Sequence, residues 1–170
     1  MTSRDWTKIW HNTQVGVRLL EAHYVDHAFP RHSHDYYVVT VVRQGLQTFF
    51  HDGDKYFTPP GGVILINPDV VHTGEPADSN GYEMVCFYPT VAHMKAAVYE
   101  LTGWHQALPF FKEVRVDDPW LVQNVLSLHN ALTNAASPLE SEARFTWTLA
   151  QLIRRYADVR FREQRLGRER

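Results

Sequence analysis

Apolar residues run in short extended stretches through the first half of the chain and recur at helical spacing through the second. Residues 36–42, Tyr-Tyr-Val-Val-Thr-Val-Val, are dense in aromatic and β-branched side chains and apolar on both faces. They predict a strand covered by an opposing sheet on one side and by helices on the other. Further apolar runs over residues 15–24, 46–51, 55–58, 63–67, 70–74 and 82–88 are separated by Gly45, Asp52-Gly53, Pro59-Pro60-Gly61-Gly62 and Asn67-Pro68-Asp69. About eight short strands at hairpin spacing, with nothing helical between them, predict a small sandwich or barrel and not a βαβ fold.

After Pro89 the period changes. Residues 91–101 read as a helix stopped by Gly103, and Asp117-Asp118-Pro119 opens a second helix from Trp120 to about residue 136. Ser137-Pro138 starts the longest, from Leu139 to about residue 165. That last helix carries two apolar stripes: Phe145, Leu149, Leu152, Tyr156 and Val159 on one line, and Leu139, Ala143, Trp147, Ala150, Ile153, Ala157 and Phe161 on another. A helix docked on its own core needs one stripe. The second calls either for the same helix of another copy or for a place wedged between two parts of the fold, and Phe145, Trp147, Leu149, Ala150, Leu152, Ile153 and Tyr156 are the candidate dimer contacts.

The expected organisation is an N-terminal arm (1–14), a β-barrel (15–89), a helical cover and dimerisation segment (90–165) and the start of a linker (166–170). The arm holds Trp6, Ile9 and Trp10 without a convincing period; its tryptophans either pack on the core surface or close over a pocket.

Composition narrows the function. A chain of 170 residues, 44% hydrophobic, buries one good core. Its net charge of −2 argues against a body built to lie on nucleic acid or an anionic membrane. Cys86 is the single cysteine, which excludes an internal disulfide and a cysteine-based zinc site and suits a reducing compartment. With no basic-then-apolar leader and no long apolar stretch, the sequence predicts a cytoplasmic protein with no signal peptide or membrane anchor.

The candidate chemistry lies between Pro30 and His72. His32 and His34 are two apart at the mouth of the 36–43 run, so in extended geometry they share a face, and His72 follows a second apolar run across the Asn67-Pro68-Asp69 turn. Converging imidazoles can bind a divalent metal, act as acid or base, or offer hydrogen bonds to a polar ligand. Spacing does not choose among these.

Residues 30–88 resemble the cupin barrel. His32, His34 and Gly45 match its first motif, Gly61 and His72 its second, while the family's metal-binding glutamate falls at Val38. A metal held here (Zn, Ni, Fe or Mn) would have three histidines and open positions. More specifically, Pro60-Gly61, Leu65-Ile66-Asn67-Pro68, His72 and the strand ending in Tyr88-Pro89 are similar to the sensor domain of the AraC family of transcription regulators, and the adjacent arginines Arg154 and Arg155 after an apolar run are similar to its dimerisation helix. This resemblance implies a cupin-like (double-stranded β-helix or jelly-roll) barrel that binds a small effector, a helical segment that forms a homodimer, and DNA contact only through helix-turn-helix motifs that this chain lacks. The implied ligand site is His32, His34, Tyr36, Val38, Thr40 and His72, with Tyr82 and Met84 from the later strand and Trp6 and Trp10 capping the mouth. No catalytic residue and no required cofactor follow from this reading. The alternative is a small metal-dependent cupin enzyme using His32, His34 and His72.

Overall fold

The computed structural model describes residues 4–162. In chain order the strands are β1 (Trp6–Asn12), β2 (Val17–Tyr24), β3 (Phe29–His32), β4 (Val38–Gly45), β5 (Gln47–His51), β6 (Asp54–Thr58), β7 (Gly62–Ile66), β8 (His72–Pro76) and β9 (Tyr82–Tyr88). Helix α1 (Val91–Thr102), strand β10 (Arg115–Asp117), α2 (Pro119–Thr133) and α3 (Pro138–Tyr156) follow. Two sheets face each other, one of six strands in the order β1-β2-β9-β4-β7-β10 and one of four in the order β3-β8-β5-β6. The structure is mainly β with C-terminal helices, as the sequence predicts.

Strand alternation sets the layers. On β4, Val39 and Val41 join Val17, Leu19, Val63, Leu65, Val85 and Phe87 in a core shared with the helices. Val38 and Thr40, one residue out of phase, point between the sheets. The strand expected to need cover on both faces therefore has it, from the four-stranded sheet on one side and from α1, α2 and α3 on the other. Tyr37 is fully buried and its hydroxyl donates to the Pro109 carbonyl at 2.5 Å, which closes the polar end of an otherwise apolar layer.

Each helix begins on a side-chain cap. Thr90 and His93 form a reciprocal capping box on α1. Asp118 accepts from the N–H groups of Trp120 and Leu121 ahead of α2, and Ser137 accepts from Glu140 N–H ahead of α3.

Gly45 and Gly81 let two strand ends cross at close range. Gly45 has φ +73°, and a Cβ there would lie 2.0 Å from the Gly81 carbonyl oxygen, so no other residue fits without moving the backbone.

Four expectations change. The N-terminal arm is a regular strand: β1 pairs with β2 from Trp6↔His23 to Asn12↔Val17. It is fastened at one end by Asp5, which accepts from Val25 and Asp26 N–H at 2.6 and 3.1 Å, and at the other by Asn12, which donates to the Leu132 carbonyl. Strand β10, not anticipated, adds an edge to β7. The last helix stops at Tyr156 and not near residue 165, because the chain beyond it turns back along residues 106–112: Phe111 bridges Ala157, Asp158 N–H donates to Phe110, and Arg160 exchanges two hydrogen bonds with Gln106. Residues 166–170, read as a linker, lie outside the described residues.

The fourth change concerns the helix stripes. Phe145, Leu149, Leu152 and Ile153 are all at most 7% exposed within this one chain. Tyr156 is half-buried and donates to Asp118 Oδ2. Phe145, Leu149, Leu152 and Ile153 are therefore spent within this chain, with Tyr156 partly so, since that face of α3 packs on the core it shares with α1, α2 and the sheet. The face left open carries Leu139 and Trp147, 77% and 54% exposed, beside Ala143, Ala150 and Leu101.

Candidate functional site

The three histidines converge because three backbone segments are pinned together. His32 ends β3 and sits opposite His72 at the start of β8. His34 follows in the next loop, where its carbonyl accepts from Asp69 N–H at 2.6 Å. The turn that carries Asp69 is fixed in turn by Asn67, which exchanges hydrogen bonds of 2.8 and 2.9 Å with the backbone of Phe111. Ring centroids lie 4.4 Å apart for His32 and His72, 4.7 Å for His32 and His34, and 5.1 Å for His34 and His72.

This arrangement can hold a metal ion: one ligand nitrogen from each ring lies within 4.8 Å of the other two. The Nδ1 atoms of His32 and His72 meet the carbonyls of Pro30 and Val70 at 2.6 and 2.9 Å. With Nδ1–H donating, the Nε2 lone pairs are left for a ligand, the usual outer arrangement of a metal-bound imidazole. Burial holds His34 down to about 4, with His32, His72 and Arg18 adding to the effect and Asp35 opposing it. Burial also lowers His72, against its bond to Val70. Neutral rings suit coordination. Among the described residues no carboxylate joins the cluster, so the donor set is three imidazole nitrogens.

The cluster opens into a cavity of about 430 Å³ between the two sheets. His32, His34, Tyr36, Val38, Thr40, His72, Tyr82 and Met84, the candidates from the sequence, all line it. Trp6 and Trp10 do not. In β1 they point the other way, Trp6 stacking on His23 and Trp10 meeting the His129 ring edge-on at 5.4 Å under α2. Alternation gives the cavity Thr7 and Ile9 instead.

The sequence reading also missed wall residues from β2, β5, β7 and β9: Leu20 and Tyr24, Gln47 and Phe49, Ile64 and Ile66, and Cys86 and Tyr88. Placing Tyr82 and Met84 inward would have identified Cys86 and Tyr88 by period; nothing in the local pattern marked Gln47. Burial pushes the Cys86 thiol up to about 11, although Thr40 and Tyr88 bond to it, so it is an inert wall group. Gln47 is 5% exposed, and its Oε1 has no hydrogen-bond partner.

At the mouth, the Arg18 guanidinium lies over the rings of Tyr36 and Tyr88, at 5.2 and 4.9 Å from their centroids, and donates to Tyr36 Oη at 2.7 Å.

Solved structures with similar folds include a cupin-like protein of Thermotoga maritima (20% identical, 54% of this chain and 73% of that one, TM-score 0.47) and an RmlC-like cupin of Methanocaldococcus jannaschii (15% identical, 52% and 83%, TM-score 0.47). Among curated proteins, an uncharacterized HTH-type transcriptional regulator of Bacillus subtilis strain 168, YbfI, is 32% identical over 133 residues, which is 78% of this chain and 48% of that protein. The chain thus spans about half the length of this relative. Residues 14–149 match the family described as the AraC-like ligand binding domain. That match covers most of the barrel, α1, α2 and much of α3, and the chain belongs to the AraC-like ligand-binding domain family.

Proposed function

We propose that this chain is the effector-sensing and dimerisation portion of an AraC-type transcription regulator, acting by binding and not by turnover. The observation that carries the proposal is the cavity. It lies between the two sheets with an open mouth, is mostly apolar in its wall, and holds a buried polar atom, Gln47 Oε1, without a partner. Such an atom costs free energy until a ligand supplies the missing hydrogen bond. The ligand would lie against His32, His34, Tyr36, Val38, Thr40, His72, Tyr82 and Met84, and the effector would shift the protein between arrangements according to its differential affinity for them.

The relative's name supports DNA binding through a further helix-turn-helix segment, with this chain acting from the cytoplasm. Among the described residues no helix is long and apolar enough to cross a membrane. The open face of α3, with Leu139 and Trp147, is the surface for a second copy. A thermal-shift screen of small metabolites, repeated with His72→Ala, tests the sensing role: a stabilising compound should lose its effect in the variant, and an unchanged effect would place the ligand elsewhere.

One observation favours a second reading. Three imidazoles, each offering one ring nitrogen to a common point, are a donor set for Zn, Ni, Fe or Mn with open coordination positions, which a small cupin enzyme could use. Elemental analysis of protein prepared without nickel resin, followed by turnover assays on metal-loaded samples, separates metal as a structural or ligand-binding element from metal as a catalyst.

A further inference from the structure

The cavity has a marked charge asymmetry. Among the described residues no aspartate or glutamate lines the cavity, and Arg18 is its one permanent cation. Arg18 has no carboxylate partner among the described residues, a state it shares with Arg4, Arg31, Arg154, Arg160 and Arg162, but it alone of these lines the cavity or stands at its mouth between two aromatic rings. Its position is nonetheless fixed: Tyr36 and Tyr88 support the guanidinium from their ring faces, and one N–H is given to Tyr36 Oη. A guanidinium has five N–H donors in a planar fork, so most remain for something that enters the cavity mouth.

Away from Arg18 the polar lining is the cluster His32, His34 and His72 with Gln47 and a few threonines, and the rest of the wall is hydrocarbon and aromatic, with Leu20, Ile64 and Phe49 along it. Asp35 acts on His34 but lies on the outer surface and does not line the cavity. An oriented, uncompensated cation at the rim of an apolar chamber favours a ligand with one anionic end and an apolar body.

We infer that the effector is a small organic monocarboxylate with an aromatic or aliphatic body, its carboxylate taken in fork geometry by Arg18 beside Tyr36 and its body lying between the sheets. This rests on the effector-sensing reading above and specifies the class of molecule. A polyhydroxylated neutral sugar is disfavoured, since Gln47, Thr40 and the tyrosine hydroxyls are spaced around a wall that is largely apolar. The cavity size suits a body of roughly benzoate to decanoate dimensions.

The test is a binding screen, by thermal shift and calorimetry, of benzoate, phenylacetate, cinnamate, octanoate and decanoate, each against its primary amide. It is run with wild type and with Arg18→Gln and Arg18→Lys, in EDTA-treated and in zinc-supplemented protein. Arg18 is exposed on β2, so the unliganded variants should melt close to wild type. At least one acid should bind at least tenfold more tightly than its amide, with Arg18→Gln removing that preference and Arg18→Lys restoring part of it.

Equal binding of acid and amide, or no binding by any acid, overturns the carboxylate class. A preference for acid that survives in Arg18→Gln only when zinc is present assigns the carboxylate to the histidine cluster and overturns the role of Arg18. The effector reading has its own readout in the same protein: neutral sugars and nucleosides that stabilise wild type but not His72→Ala would preserve the cavity as a sensor while removing this ligand class.

Discussion

His93 Nε2 donates to the Val15 carbonyl at 2.9 Å, while its Nδ1 accepts from Thr90 N–H at 3.1 Å. Both ring nitrogens are committed, so a second ring proton would point N–H against N–H and break the capping box of α1. Burial lowers the pKa of His93 despite its bond to Val15, and burial likewise lowers His129. The unfolded chain therefore takes up protons below about pH 6.5 that the folded chain refuses. Stability is fully present above that value and should fall as pH drops from about 6.5 toward 5, by at most about 1.4 kcal/mol per pH unit for each such histidine. Urea melts at pH 7.5 and 5.0 check this. His93→Gln should melt at lower urea at pH 7.5 and show a shallower loss on acidification.

Asp118 ties α2 to α3. Its Oδ1 caps α2 while Oδ2 receives Tyr156 Oη and Arg155 at 2.5 and 2.7 Å. Burial raises the pKa of this carboxyl, but the bonds from Tyr156, Leu121 and Arg155 outweigh it and leave the value below the ordinary carboxylate range. Its contribution is present above about pH 4 and is lost as pH falls through the lowered folded value. Asp118→Ala should destabilise by about 2 kcal/mol, combining a lost cap with lost charge-assisted bonds. Asp118→Asn, which keeps the cap acceptor, should cost less, and denaturant melts will rank the two.

The Gly45 and Gly81 crossing predicts a steep cost for one methyl group. Gly45→Ala meets the Gly81 carbonyl and has the wrong backbone sign, whereas Gly53→Ala, also at positive φ, meets nothing within 4 Å. We expect Gly53→Ala to cost about 1 kcal/mol and Gly45→Ala about 3 kcal/mol or more. Thermal melts of the two variants measure the difference.

Zinc should bind through His32, His34 and His72 with about one ion per chain. His51 offers an internal control, since it is the strand partner of His72 but lies outside the cluster. His72→Ala should lose stoichiometric zinc and the zinc-dependent rise in melting temperature. His51→Ala should keep both. Elemental analysis and thermal shift report the outcome.

The two sides of α3 predict opposite phenotypes. Leu149 is 3% exposed, so Leu149→Arg should fail to fold, which circular dichroism and expression in the soluble fraction would show. Trp147 is 54% exposed, and Trp147→Glu should leave a folded chain that sediments as a monomer where wild type sediments as a dimer. A Trp147→Glu dimer would move the contact off this face.

Much of the barrel was legible because a strand apolar on both faces, residues 36–42, can exist only between two covers, and because Asp52-Gly53 and Asn67-Pro68-Asp69 mark their turns chemically. His32, His34 and His72 were legible for the same reason: spacing two apart and a proline turn are local signals. The strand nature of residues 6–12 was not, since Trp-Thr-Lys-Ile-Trp-His-Asn has an exposed outer edge and its partner, residues 17–23, alone reveals the alternation. The helix stripes misled because Ile153 falls on the open line by angle yet is fully buried, and because Val159 and Phe161 keep a helical period on backbone that bonds to residues 106–112. Tertiary hydrogen bonds decided the end of α3, and sequence periodicity does not contain them. Arg18 was hidden by type: an arginine on a predicted strand reads as solvated until its aromatic neighbours, Tyr36 and Tyr88, are brought beside it by the sheet.

The first strand presents Thr7 and Ile9 to the chamber and Trp10 to α2, and Asp5 and Asn12 fasten its two ends. Because neighbouring side chains leave a strand on opposite sides, sliding β1 by a single residue would put Lys8 and Trp10 where Thr7 and Ile9 now stand. This wall therefore has no graded positions: it is either in register and greasy or one step off and blocked by an indole and an ammonium group.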